Sequence, residues 1–309
     1  MLSARVRIVF LRVSLALCFL GCLFGQQASL PPMGYKPVLN WPPAPEAWNL
    51  YEPSGVAVDR EGNVYVFNRS PHPLLKLTSE GKLIKSYCEG GVFVDSHGVR
   101  IDRDDNIWAV DRNGQMIFKI NQEGRILMVL GRRGQKGTAH DNFNRPTDVA
   151  FAPNGDVFIS DGYGNSRVIK FDKNGKYLLE WGKKGSAPGE FNLPHAIVLD
   201  TQGRVYVGDR ENYRVQIFDV NGKFLGQWTN VGSPWGLDLT PDKQHILLSD
   251  GHNNRVLLLN LEGQILGVQG SPGKAPGEFI HAHAIASAPN GDFYVAETVN
   301  WRVQKFVKR

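Results

Sequence analysis

Residues 145–181 contain the run Arg145-Pro-Thr-Asp-Val-Ala-Phe-Ala152, a turn at Asn154-Gly155, and the apolar segment Val157-Phe-Ile-Ser160. After a polar loop follow Arg167-Val-Ile-Lys-Phe171, a second turn at Lys173-Asn-Gly175, and Tyr177-Leu-Leu-Glu-Trp181. Short β-branched and aromatic runs punctuated by Asn-Gly are hairpin signals, so this stretch predicts four antiparallel strands. Its opening recurs as Glu52-Pro-Ser-Gly-Val-Ala-Val-Asp59, Asp95-Ser-His-Gly-Val-Arg-Ile-Asp102, Leu193-Pro-His-Ala-Ile-Val-Leu-Asp200, Ser233-Pro-Trp-Gly-Leu-Asp-Leu-Thr240 and His281-Ala-His-Ala-Ile-Ala-Ser-Ala288. Counted from Pro53, Ser96, Pro146, Pro194, Pro234 and Ala282, the units start 40 to 50 residues apart. That is the period of propeller blades, and no amphipathic helical window competes with it.

The sixth unit ends at Phe306-Val-Lys-Arg309 with three strands. The missing fourth is expected from Lys36-Pro-Val-Leu-Asn-Trp41, which matches Lys176-Tyr-Leu-Leu-Glu-Trp181. Pairing it with the last blade would close the ring and cover an exposed edge. The expectation is therefore an all-β, six-bladed propeller over residues 28–309, one domain closed by an N-terminal strand. The repeat resembles the NHL repeat, through Asn165-Ser-Arg-Val168, Asn212-Tyr-Arg-Val-Gln216, Asn254-Arg-Val256 and Asn300-Trp-Arg-Val-Gln304, and through Pro188-Gly-Glu-Phe191 and Pro276-Gly-Glu-Phe279. NHL propellers include enzymes, RNA binders and scaffolds, so this resemblance speaks to fold.

Residues 1–27 read as an export signal: Arg5, Arg7 and Arg12 head an apolar run from Val13 to Phe24, too short for a spanning helix. Its removal takes three arginines and no acids, so the net charge of +5 falls to +2. No dense basic stripe is left to suggest nucleic acid. The mature chain is expected to be secreted or periplasmic, monomeric, and without a stable membrane span. Cys18 and Cys22 leave with the signal and Cys88 is then alone, which excludes an intramolecular disulfide.

The residue after each unit's leading position is Ser54, His97, Thr147, His195, Trp235 and His283 in turn. Equivalent positions of a closed propeller lie on one ring around the axis, at the start of the innermost strand. A single channel-facing histidine is by default a hydrogen-bonded polar residue. Three on alternate blades converge about a third of a turn apart, which is the open three-ligand arrangement of a catalytic zinc site. His281, two residues before His283 on the same side of the strand, is a possible substitute for it as ligand; the unit alignment favours His283 and leaves His281 behind the ligands or at the entry rim.

Around this ring the chain resembles the lyase domain of the peptidylglycine α-amidating enzymes, peptidylamidoglycolate lyase. The resemblance is carried by Arg145-Pro-Thr-Asp-Val149, Ser160-Asp-Gly-Tyr-Gly-Asn-Ser-Arg167, Pro194-His195 and Asp209-Arg-Glu-Asn212. It implies that His97, His195 and His283 bind Zn2+, that Tyr163 is the catalytic base, and that Arg210 and Arg69 assist. Arg112 occupies a loop comparable to that of Arg69. The implied substrate is a small molecule or peptide ending in an α-hydroxyglycine-like group, cleaved at its carbinolamide C–N bond to an amide and glyoxylate. A phenol acts as a base near neutral pH only beside cations, and an Arg fork suits a substrate carboxylate. The family carries a calcium-binding acid directly after the third histidine. Here that residue is Ala284, so Ca2+ loses its main anionic ligand and only backbone carbonyls such as that of Val99 stay available. Asp111, Asp161, Asp209 and Asp250 recur after the second strand and are expected to fix turns. Two other functions compete on residue grounds: a lactonase-like channel metallohydrolase, and a non-enzymatic recognition propeller.

Overall fold

The computed structural model describes residues 30–43 and 50–308; the proposed export signal, with Cys18 and Cys22, lies outside them. It contains six four-stranded antiparallel sheets. The third blade has strands Asp148–Phe151, Val157–Asp161, Arg167–Phe171 and Tyr177–Trp181, paired in sequence order. The innermost strands of the six blades are Gly55–Val58, Ser96–Ile101, Asp148–Phe151, Pro194–Leu199, Pro234–Leu239 and Ala282–Ser287. Four begin at the residue where the repeat reading starts a unit, and those of blades one and three begin two residues after Pro53 and Pro146. A single 3-10 turn, Arg210–Asn212, is the one helical element among the described residues. No described helix is long and apolar enough to cross a membrane.

Closure comes from the strand Tyr35–Pro37, which pairs antiparallel with Arg302–Lys308 in the last blade. It is shorter than the expected Lys36–Trp41. Asn40 takes a left-handed backbone (φ 55°), which turns the chain off the sheet edge. Trp41 then lies buried against Tyr294, with its indole N–H donated to Ser79 O at 2.9 Å. The chain thus ties blade six to blade one.

The core is divided among the blade interfaces. One cluster joins Trp108, Val110 and Ile117 of blade two to Val149, Val157 and Ile159 of blade three, and five others fill the remaining interfaces. Burying each such large apolar side chain contributes roughly 1.5–3 kcal/mol.

The repeat signature has a physical reason in the loop between second and third strands. Asp209 accepts from the Asn192 N–H, Asn212 Nδ2, Arg214 Nε and Gln216 Nε2. Arg214 also donates to the carbonyls of Ser186, Ala187 and Glu190 in the preceding interblade loop. Asp161 with Asn165 and Arg167 repeats the pattern, as does Glu297 with Asn300 and Arg302. The recurring aspartates therefore fix turns. In blades three to six the Asn and Arg of the loop are held by the same carboxylate.

Below the top of the channel, Arg100 of blade two reaches across the axis. Its Nε and Nη2 bond both oxygens of Asp148 in blade three, at 2.9 and 2.6 Å. Nη1 reaches Asp238 Oδ1 at 3.2 Å and Nη2 reaches Leu237 O at 2.8 Å, both in blade five. Asp238 in turn accepts from Ser287 of blade six, and Asp148 from the Ile197 N–H of blade four.

Candidate functional site

The six ring positions meet at one end of the channel as the repeat alignment requires. His97, His195 and Trp235, and His283 likewise, each fall at a register shift in their innermost strand. A bulge locally re-aims a side chain, and here it turns these residues toward the axis. Gly98, next to His97, lets the strands approach: a Cβ there would stand 2.6 Å from Thr147 O.

The three histidines are buried, with exposures of 1%, 2% and 5% in chain order. Their ring centroids form a nearly equilateral triangle of 4.9, 4.8 and 5.0 Å sides. Each is oriented by the next ring position. His97 Nδ1 lies 2.7 Å from Thr147 O, His195 Nδ1 2.6 Å from Trp235 O, and His283 Nδ1 2.6 Å from Ser54 O. A carbonyl can only accept, so Nδ1 carries the hydrogen and Nε2 presents a lone pair toward the axis. Ser54 and Thr147 continue the circuit by donating to Ser96 O and Pro194 O of the following blades.

All three imidazoles are held in the neutral form. His283 is pushed down to about 3, chiefly by burial, with the Ser54 carbonyl opposing and nearby arginines adding to the depression. His97 and His195 are also depressed, first by burial and then by charge from His283 and Arg210 respectively.

Tyr163 comes down on this ring from the loop of blade three. Its hydroxyl lies 3.1 Å from His195 Nε2 and 3.3 Å from His97 Nε2, and Arg210 Nη1 donates to the same oxygen at 3.3 Å. One phenolic hydrogen cannot satisfy two acceptors, and no hydrogen bond among the described residues reaches His283 Nε2. Three ligand atoms within 4.8 Å of one another therefore point lone pairs at a place that offers them a single hydrogen. Zinc takes imidazole nitrogen donors at about 2.0–2.1 Å, and three converging neutral imidazoles are a donor set of that kind. The residues fit such an ion.

Arg210 and Arg69 are placed differently. Arg210 touches the Tyr163 hydroxyl and lies over the Trp235 ring at 4.6 Å. Arg69 is held by Glu52 and Asp95 at 2.6 and 2.7 Å, and it depresses the His283 and His97 imidazoles through its charge. Asp95 is shared with Arg112, whose guanidinium lies 5.0 Å over the Tyr163 ring. Arg145 is a participant that reading for family motifs missed. Its guanidinium lies 5.9 Å over the Tyr163 ring, Nη2 donates to Tyr163 O, and buried Nε has no partner. Among the described residues it alone of these four arginines has no carboxylate in contact. The signal was its place directly before the ring strand, shared by Glu52, Asp95 and His281. Four of these pre-ring residues, Glu52, Arg145, Leu193 and His281, have positive φ. His281 stands at the rim, in contact with Trp235.

Below the ring, a cavity of about 30 Å³ is lined by the histidines, Val99, Ala284 and Arg100. The positive charge at this level is the guanidinium of Arg100. A separate cup of about 400 Å³ opens at the other end of the channel, lined by Ile101, Phe151, Leu199 and Leu239 among others.

Comparison with known proteins adds the following. The NHL repeat family matches residues 143–171 and 191–218. The chain is 34% identical over 173 residues to peptidyl-glycine alpha-amidating monooxygenase of Mus musculus, covering 54% of this chain and 14% of that protein. It is 30% identical over 190 residues to the probable peptidyl-alpha-hydroxyglycine alpha-amidating lyase of Caenorhabditis elegans, covering 56% of this chain and 52% of that one. The chain thus spans about half of the worm relative and a small part of the mouse one. Among solved structures a streptogramin B lyase superposes with a TM-score of 0.63 at 15% identity, over 85% of this chain and 95% of that one, a likeness of fold. The chain carries NHL repeats in a six-bladed propeller, and homologues of it are named for peptide amidation.

Proposed function

We propose that the chain is a zinc-dependent lyase of peptidyl-α-hydroxyglycine type, exported from the cell, with His97, His195 and His283 as metal ligands and Tyr163 as base. The observation that carries this reading is the convergence of three tautomer-locked Nε2 atoms on a place that the Tyr163 hydroxyl and Arg210 share. A zinc ion bound there supplies Lewis-acid polarisation of a substrate oxygen.

The chain's own residues account for the rest. Tyr163 Oη takes the proton from the carbinol hydroxyl. The O–H electron pair closes the C=O bond of glyoxylate, the C–N bond breaks, and the amide nitrogen recovers the proton. Arg210 donates to the Tyr163 oxygen and stabilises the phenolate form from which it accepts that proton. Arg112 and Arg69, fixed through Asp95, set a positive field over the ring that favours an anionic substrate. The burial of the histidines strengthens each of these interactions.

The test is release of glyoxylate from N-benzoyl-α-hydroxyglycine. We expect release that stops with a chelator and returns with zinc. Tyr163→Phe is expected to lower kcat by about 10²–10⁴-fold with zinc content unchanged. Chelator-insensitive release, or a Tyr163→Phe variant of full activity, overturns the assignment.

A further inference from the structure

The rim of the site is divided into two unlike halves. Blades one to four contribute Arg69, Arg112, Arg145 and Arg210, of which Arg145 has no carboxylate in contact. Blade five and the start of blade six contribute aromatic rings. Trp235 sits at the ring position, with centroid distances of 5.8 Å to His195 and 5.6 Å to His283. Around it lie His252 at 5.5 Å and His281 at 5.1 Å, and Tyr213 extends the row from His252 at 5.7 Å. Tyr213 is 48% exposed, and His252 and His281 are also exposed, so the row forms a shelf open to solvent beside the three histidines.

We propose that this mouth selects substrates by both ends at once: a carboxylate on the arginine side, seated by Arg145, and an aromatic or large apolar acyl group on the Trp235 shelf. The inference rests on the lyase reading for the identity of the central group. In an N-acyl α-hydroxyglycine the carboxylate and the acylated nitrogen leave the central carbon in different directions. With the hydroxyl at Tyr163, the carboxylate turns toward blades two and three and the acyl group toward blade five. Arg145 Nε is buried without an acceptor, and a buried donor left unpaired gains most from an anionic partner. The shelf offers flat, polarisable faces on which an aromatic acyl group stacks, and Arg210 already holds one face of Trp235 in place by a cation–π contact. A short acyl group such as acetyl has no ring to stack on these faces.

Equilibrium binding of two unreactive acids, N-benzoylglycine and N-acetylglycine, to the purified zinc-supplied chain tests this by calorimetry, independently of turnover. N-benzoylglycine is expected to bind about tenfold more tightly. Trp235→Ala is expected to remove most of that ratio, and Arg145→Gln to weaken both acids by about tenfold while leaving the ratio intact. Because Trp235 also touches two histidines, His252→Ala serves as the second shelf variant and should reduce the ratio with zinc content unchanged. Equal affinities in the unaltered chain, binding of neither acid, or a ratio that survives both shelf variants overturns the proposal. Failure of the lyase reading shows separately, as absence of glyoxylate from the matching α-hydroxy acids.

Discussion

Each ring histidine gives its Nδ1 hydrogen to a carbonyl of the next blade, and that bond decides what the imidazole can do. Nε2 is left as a lone pair, and burial keeps it unprotonated. In the unfolded chain these imidazoles take up protons below about pH 6.5, whereas the folded chain holds them neutral to lower pH. The unfolded state then binds more protons, so this contribution to stability is full above about pH 6.5 and is lost as pH falls toward the folded values. The thermal midpoint of chelator-treated protein should therefore fall between about pH 7 and pH 5, and His195→Gln should flatten part of the slope. A profile of the same slope in both proteins would count against neutral, locked histidines. The histidine ring was legible in the sequence because it depends only on repeat position. Arg145 was not, although it stands in a quoted motif. Its part follows from a left-handed backbone and from the meeting of loops far apart in the chain, neither of which a linear pattern records.

At the scale of the element, the loop carboxylate is the piece on which each blade's top loop is built. Asp209 is fully buried and holds four donors, and it directly precedes the turn that presents Arg210. Asp209→Ala leaves Arg214 buried without its carboxylate, which typically costs about 3–5 kcal/mol. Urea unfolding should show a loss of that order, with Asp209→Asn milder. A loss within the ordinary scatter of surface changes would show that the loop is held by other means. The second to fourth strands of blade three were legible to within a residue because Asn-Gly turns bound them. The bulges that aim the histidines have no such mark: a one-residue shift in pairing leaves the sequence pattern unchanged.

For the whole molecule, stability depends on joining the first described residues to the last. The strand Tyr35–Pro37 completes blade six, and Trp41 fills the interface with blade one. Trp41→Ala removes a large buried ring at the one interface where the circle is closed by distant chain segments. A loss of about 3–5 kcal/mol is expected in denaturant unfolding, with the other interfaces intact. A loss near zero would place the closing strength elsewhere. The repeat period made the six blades and their closure legible; the end of the closing strand was not, because it is set by the turn at Asn40 and by how Trp41 packs.

The Arg100 bridge gives the axis a floor. That floor stands between the histidine ring and the cup at the other end, so the mouth lined by arginines and aromatic rings is the approach we assign to substrate. Under the proposed reaction glyoxylate and amide leave past the same arginines and aromatic rings that admit the next substrate, so the product that leaves last competes with that substrate, and the rate of clearing the doorway bounds the rate of turnover.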